Sequence, residues 1–533
     1  MGIGSPNPLL LATAASGGDS DPVTRSLRFD DGSSPYLVRA ASDIGTPTNA
    51  KKVTVAFWFK LGNIVASRRV LVSVSNSSGT DFWWIELDAS HRLNFMVNNN
   101  SYAVQGQYIT NRVFRDPSAW YHICVSCDST ASEAADRAII YINGVRETSF
   151  STTNHLPADW LNEFNEGTYS QYISSYVGST WHFDGYIADV YNIDGQQLEP
   201  TDFIEANYYG GYKPKEYSGS YGNNGFHLKL DDSSDIGADD AGSNDFTANN
   251  LSSHDVMLDT PTKNYATWNA AQKDGGSVFS EGNLKTSSVA SNNYHPCRAT
   301  FNLPDSTGWY AEFYVVSNDG VHSPIIGIQD ASRNSSTLEN IYVTKGVALR
   351  RDGVILRDNS SVQTGLGGTS NGDIIMVAYK DRKIWFGRNG SWFHSGDPAN
   401  DSNESTTANS EISGYHFAIN CFVNGQTVAN FGQDPTFVNN KTSGQDTSQS
   451  EFYYAPPNGF KSLNTSNLDA PSVTPTNHFD VLTYNGAYDD YMSYTGTDPQ
   501  VITGTDFKPE IVWIKDRDNI SSSYGSGYHG GYW

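Results

Sequence analysis

Short runs in which apolar and polar residues alternate, cut by Gly, Asn, Asp and Ser, recur from Ser26 to about Phe203. Alternation sends successive side chains to opposite faces, so a period of two predicts strands with a buried face. Val53-Thr-Val-Ala-Phe-Trp-Phe-Lys60 places Val53, Val55, Phe57 and Phe59 on one such face. Ala138-Ile-Ile-Tyr-Ile-Asn-Gly-Val145 carries Asn143-Gly144, the dipeptide that suits a type I′ hairpin turn. Tyr186-Ile-Ala-Asp-Val-Tyr191 follows a glycine and predicts a further strand. A second strand-rich block runs from about Ala270 to Asn440. It holds Gly308-Trp-Tyr-Ala-Glu-Phe-Tyr-Val-Val316, Gly372-Asp-Ile-Ile-Met-Val-Ala-Tyr379 and Lys383-Ile-Trp-Phe-Gly-Arg-Asn-Gly390. Helical periodicity is nearly absent; Pro200-Thr-Asp-Phe-Ile-Glu205 alone hints at a turn of helix. Short strands with frequent turn residues predict an all-β chain built from sandwiches.

Length sets the number of cores. The chain has 533 residues, and single cores stop growing near about 250–300 residues. The expected layout is two β-sandwich (jelly-roll) domains in tandem with a short C-terminal β segment. An N-terminal arm at 1–23 precedes a first jelly roll over 24–207. An acidic Gly/Asp-rich connector at 208–269 leads to a second sandwich over 270–440. A linker at 441–476 and a partial β module at 477–533 follow, the last expected to be truncated or completed by another subunit. Aromatic residues make up 13% of the chain, which favours folded, half-buried pleated surfaces over disorder.

The formal net charge of −24 repels phosphate, so no nucleic-acid partner is expected. No run approaches the roughly 20 apolar residues of a membrane span. Pro8-Leu-Leu-Leu-Ala-Thr-Ala-Ala15 lacks the basic start of a signal peptide. Four cysteines, Cys124, Cys127, Cys297 and Cys421, are too few for a disulfide framework. Cys124 and Cys127 have redox or zinc spacing, but three apart on a strand they point to opposite faces. Buried structural thiols are expected.

The ordered set Ser26-Leu-Arg-Phe29, Phe57-Trp58, Trp120-Tyr-His122, Tyr141-Ile-Asn-Gly-Val145 and Phe183-Asp-Gly-Tyr-Ile-Ala-Asp-Val190 resembles a concanavalin-A-like, laminin-G-type jelly roll. That family spans lectins, glycanases and spacers, so the likeness implies a fold before a function. The second block, with its Trp-Tyr-x-Glu strand, Gly372-Asp-Ile, Asn389-Gly390 and Asn430-Phe-Gly-Gln433, resembles a SPRY domain. That likeness implies a sandwich recognising partners through loops, without catalytic apparatus. The Tyr208–Gly225 and Asp231–Asp245 stretches, continuing to Tyr265, resemble connectors of phage structural proteins, and the C-terminal strands are similar to modules of marine-phage proteins.

Enzyme motifs fail on context. Gly368-Thr-Ser-Asn-Gly372 matches a nucleophile elbow, yet it precedes a strand and no helix follows. Gly525-Ser-Gly-Tyr-His-Gly530 lacks a β-α unit. Glycanases of the concanavalin-like fold place paired carboxylates on one strand. The nearest pair here is Glu86 and Asp88, without a third carboxylate, and a solvent-facing strand edge is the preferred reading. No catalytic or metal residue is assigned, and no cofactor is expected. Calcium is the one cation that Asp231, Asp232, Asp235, Asp239, Asp240 and Asp245 would suit, although a solvated loop is preferred.

A binding surface remains. Trp83 or Trp84, Tyr102, Trp160, Trp181 and the Tyr-rich junction are the aromatics free to stack on sugars, with core packing the competing role. Alternation in Phe82-Trp83-Trp84-Ile85 turns one Trp inward and leaves the other outward; which is open, so the ligand-binding residues stay unassigned. The expectation is a non-enzymatic virion protein, a bacteriophage tail-fibre component binding host-surface glycan. Its partners would be other virion or tail proteins and further copies of itself, a trimer being the usual fibre arrangement. A structural head-decoration or tail-assembly protein is the alternative, and a depolymerase using Glu86 and Asp88 ranks third.

Overall fold

The strand Lys52–Leu61 is buried along nearly its whole length on both faces, and that double burial organises the molecule. The computed structural model describes residues 21–99, 103–207, 211–289, 293–318, 324–330, 341–343, 345–410, 414–422, 424–442, 451–469, 508 and 512. Among them the framework is strands joined by turns and single 3-10 turns, with no α-helix. The chain is all-β. The 1–20 part of the N-terminal arm and almost all of the 477–533 module lie outside the described residues.

The first sandwich has two eight-stranded sheets. Its back sheet runs Val145–Arg146, Ala138–Ile142, Trp120–Asp128, Lys52–Leu61, Gly185–Asp194, Ser26–Phe29 and Val256–Met257, with Phe226–Leu228 also paired to Gly185–Asp194. Its front sheet runs Phe150–Asn154, Ala103–Val113, Arg92–Asn99, Phe82–Leu87, Arg69–Ser75, Ser170–Ile173, Tyr36–Arg39 and Thr247–Asn249. Val53, Val55, Phe57 and Phe59 face the core between them, as the alternation predicts, with Trp83, Phe95 and Phe164 opposite. Asn143 and Gly144 both have positive φ (50° and 76°), and Ile142 pairs with Val145. This is the I′ turn the dipeptide announces. Asn389 and Gly390 repeat it, at φ 51° and 83°.

The stretch 208–269, expected as a connector, is built into this sandwich. Phe226–Leu228, Thr247–Asn249 and Val256–Met257 each extend one of its sheets. The acidic run is likewise not simply a solvated loop. The buried Asp239 carboxylate accepts from the backbone N–H of His227 (2.8 Å), Ala241 (3.0 Å) and Asn244 (3.0 Å). Tyr217 and Tyr221, from the Tyr-rich junction, pack with Tyr191 and Phe203 on the outer face of the back sheet. Cys124 joins that outer cluster while Cys127 lies in the inner core, so the two thiols diverge; all four cysteines are free and buried.

The second sandwich pairs a seven-stranded with a nine-stranded sheet. Trp268, Phe313, Phe417 and Phe431 fill the space between them. Residues of the expected 441–476 linker close its outer side. Phe460–Lys461 pairs in parallel with Gly308–Ser317. The buried Glu312 carboxylate accepts from the N–H groups of Tyr453 (2.8 Å) and Tyr454 (2.7 Å). The hit at Gly368–Gly372 is a turn before the strand Ile374–Lys380.

The two sandwiches are not separate. The second core continues without a break into Trp58, Trp120, Tyr186, Ala188 and Met257 of the first. Arg28, Tyr186, Lys60 and Trp120 stand in register across four neighbouring strands and meet the incoming chain. Lys60 pairs with Asp259 (2.7 Å) and Arg28 with Asp255 (3.0 Å), Asp434 (3.4 Å) and Glu281 (3.5 Å). Asp434 and Glu281 belong to the second block, so the docking is specified by buried charge as well as apolar area. Buried ion pairs of this kind add little net stability over apolar contact, but losing one partner leaves an uncompensated buried charge.

Candidate functional site

Among the described residues, the outer face of the front sheet carries an aromatic groove that departs from core packing. Strand Phe82–Leu87 lies in the middle of that sheet, and its alternation sends Trp83 inward and Phe82, Trp84 and Glu86 outward. Trp83 is fully buried, edge-on to Phe95 (5.1 Å) and Phe164 (4.8 Å). Trp84 lies parallel to Phe82 with centroids 4.0 Å apart. The loop after Ser170–Ile173 brings Tyr176 and Trp181 over this pair. Trp181 stacks on Tyr176 at 5.2 Å and stands perpendicular to Trp84 at 5.8 Å. The Tyr176 hydroxyl donates to the Gly79 carbonyl, pinning the loop to the opposite rim.

Arg68 completes the groove. Its guanidinium carbon lies 5.2 Å from the Trp84 ring centroid and 5.0 Å from that of Trp181, within the range of cation–π attraction. Met96, Asn98, Ser78 and Val177 line the rest of a cavity of about 430 Å³. Trp181 is 38% exposed, which is unusual for a tryptophan body without a partner to cover it. Flat aromatic walls, a cation, one amide and one hydroxyl side chain suit a ligand with apolar faces to cover and polar groups to satisfy.

Glu86 is not on a solvent-facing edge. It is fully buried on a central strand, its Oε1 accepting from Asn94 Nδ2 (2.7 Å) with Arg68 Nη2 3.4 Å away. Burial pushes its carboxyl up to about 7, against the opposing pull of Arg68 and Asn94. Asp88 moves the other way. It lies beyond the strand end and closes a turn, accepting from the N–H of Ser90 (2.8 Å) and of Arg92 (2.9 Å) and from Arg92 Nε (2.8 Å). These bonds hold it below the usual carboxylate range in spite of some desolvation. The two carboxylates therefore have separate duties, and Asp88 is committed to its turn rather than offered to a substrate.

Of the other aromatics in view, Trp160 is buried in the first core, Tyr217 and Tyr221 of the Tyr-rich junction pack as described, and Tyr102, Tyr208 and Tyr209 lie outside the described residues. Sequence alone missed Arg68, Phe82 and Tyr176. Phe82 was visible as the alternation partner of Trp84; Arg68 and Tyr176 come from loops whose positions no periodicity encodes. Among the described residues no group of His, Cys, Asp or Glu is arranged to hold a metal ion, and no helix is long and apolar enough to cross a membrane.

Comparison with known proteins agrees with the first sandwich. Residues 31–196 match the family model described as the concanavalin A-like lectin/glucanases superfamily, Laminin_G_3. No curated protein matches the chain. Among solved structures, the SPRY domain of human HERC1 is 14% identical with a TM-score of 0.22, over 27% of this chain and 87% of that one. The SAP-like pentraxin of Limulus polyphemus is 14% identical, TM-score 0.25, over 34% of this chain and 80% of that one. Domains LG4-5 of the mouse laminin alpha1 chain are 10% identical, TM-score 0.27, over 78% of this chain and 90% of that one. The matched region, 31–196, contains every residue of the aromatic groove, so the groove lies within the part of the chain that is similar to that superfamily.

Proposed function

We propose that this protein is a non-enzymatic glycan-binding component of a bacteriophage virion, a tail-fibre or receptor-binding protein. In this reading a host-surface saccharide lies against Trp84 and Trp181, with Arg68 donating to its oxygens. The observation that carries the reading is the half-covered Trp181, held over Trp84 by Tyr176 on the outer face of a lectin-type sheet. The phage assignment draws on the resemblance of the connector and C-terminal sequences to phage structural proteins. It also draws on the pairing of a laminin-G-type with a SPRY-like block. Partners would be other virion proteins and further copies of this chain, where weak single contacts multiply through avidity. No cofactor is required.

A glycan array probed with the full chain, followed by host-adsorption assays, tests it. Saccharide binding that is lost in Trp181→Ala supports the reading. Absence of binding to any surface glycan, together with unchanged adsorption of particles lacking the protein, overturns it. One observation favours a purely structural virion role instead: the sandwiches are joined by a buried charged interface, as a stiff spacer would be. Locating the chain within an assembled particle separates head decoration from a host-contacting fibre.

A further inference from the structure

Lys60 is a fully buried amine that the binding groove does not use. Its Nζ donates to Asp259 Oδ2 (2.7 Å), to Asn264 Oδ1 (2.7 Å) and to the Tyr265 carbonyl (2.8 Å). Lys60 and Asp259 are wholly inaccessible and Asn264 is 1% exposed. The two side-chain partners of Lys60 are themselves fixed. Trp120 Nε1 donates to Asp259 Oδ1 (3.0 Å), and Asn264 Nδ2 donates to the Ser118 carbonyl (2.7 Å). Tyr186 walls the site, its ring centroid 5.6 Å from Nζ. An amine, a carboxyl and a carboxamide thus converge at a fully buried site beside Trp120 and Tyr186. The electrophilic carbon of Asn264 lies one bond beyond an oxygen already in contact with the nucleophile.

We propose that Lys60 and Asn264 form an intramolecular amide cross-link, with Asp259 as the proton carrier and ammonia as the leaving group. A proton first passes from the Lys60 ammonium to the Asp259 carboxylate, leaving a neutral amine beside a carboxylic acid. The Nζ lone pair attacks Cγ of Asn264, and the carbonyl π electrons move onto Oδ1. Asp259 gives its proton to Nδ2, the Cγ–Nδ2 bond breaks, and the carbonyl re-forms. The surplus proton on Nζ returns to Asp259. One amide and one ammonia are produced, with no oxidant or reductant. Burial supports the starting state, because it lowers the Lys60 amine and raises the Asp259 carboxyl against their mutual attraction. Positioning supplies the rest: the amine and the carboxamide are held in contact at 2.7 Å, and reactants held together gain the advantage of an intramolecular reaction.

The bond would span 204 residues of sequence. It would tie the strand Lys52–Leu61 of the first sandwich to the segment that enters the second. Such a tie suits an assembly pulled on from outside, and it needs no oxidising compartment.

Intact-mass measurement of the folded full chain, then a tryptic map after denaturation, tests the proposal. The expected mass is lower than the sequence by one ammonia, with a branched peptide joining Lys60 to Asn264. Asp259→Asn is expected to restore the mass of its own sequence and release both peptides unlinked. A wild-type mass equal to the sequence, with Lys60 and Asn264 on separate peptides, overturns it and leaves a plain buried ion pair. Loss of water with a branch at Asp259, or ammonia loss persisting in Asp259→Asn, overturns the assigned roles. The wild-type measurement decides the matter even where the variants fail to fold.

Discussion

Trp84 and Trp181 stand at 88° to each other with the Arg68 guanidinium lodged against both rings. Trp84 is nearly buried and Trp181 half-covered, so the two differ in what their removal exposes. Trp181→Ala should weaken saccharide binding by about 2 kcal/mol or more, the scale of a hot-spot aromatic. The same change should alter folding stability by less than about 1 kcal/mol, as for a surface site. Titration calorimetry and thermal melts of the same variant separate the two.

Glu86 should make stability depend on pH. Its carboxyl titrates near 7 in the folded chain against an ordinary 4.5, so the folded state holds the proton more tightly than the unfolded one. Stability from this group is full below pH 4.5 and is lost as pH rises towards and through 7. The loss is on the order of 3 kcal/mol, from about 1.4 kcal/mol per unit of pKa difference. Glu86→Gln should flatten that segment of a melting-temperature profile. An unchanged profile in the variant would show that another carboxyl carries the dependence.

Arg28→Ala should uncouple the two sandwiches. The change leaves Asp255, Glu281 and Asp434 facing one another without their shared cation. Breaking a buried pair by removing one partner costs about 3–5 kcal/mol. Chemical denaturation of the wild type is expected to show one transition and that of the variant two. A single, merely shifted transition in the variant would mean that apolar contact alone keeps the halves together.

The four thiols should be silent in the folded chain. Burial raises the thiols of Cys124, Cys127 and Cys297, and the thiolate is the reactive form. Cys421 is lowered by its hydrogen bond with Cys297, but it is buried like the other three and closed to a reagent. An aromatic disulfide reagent should titrate none before denaturant and four after it. Rapid reaction of any one in native buffer would contradict the burial described.

The strand pattern, the I′ hairpins and the divergence of Cys124 from Cys127 were legible because each depends on neighbours in sequence. The second buried face of Lys52–Leu61 was harder. Ala56 and Trp58 break the alternation, and an unbroken apolar run is the signature of a strand covered on both sides. Lys60 at the end of that run hid it, since a lysine reads as exposed until Asp259 and Asn264 are known to lie beside it. The aromatic groove was half visible. Phe82-Trp83-Trp84 required one outward ring, but which one depended on register with Arg92–Asn99, a long-range property. The connector was misread because its glycines and aspartates look like linker whether or not short strands between them join a sheet.

Those short strands also set a timetable for synthesis. Ser26–Phe29 is held between Gly185–Asp194 and Val256–Met257, so one of the first strands made must wait for one of the last of its sandwich. At roughly 5–20 residues per second, a ribosome needs many seconds to add the intervening chain. Until then the apolar row around Trp58 and Tyr186 is uncovered on the nascent chain. Expression fragments that stop near residue 207 would freeze the polypeptide in that sticky, unfinished state, whereas fragments that continue beyond Thr465 would cover the apolar row with the second core.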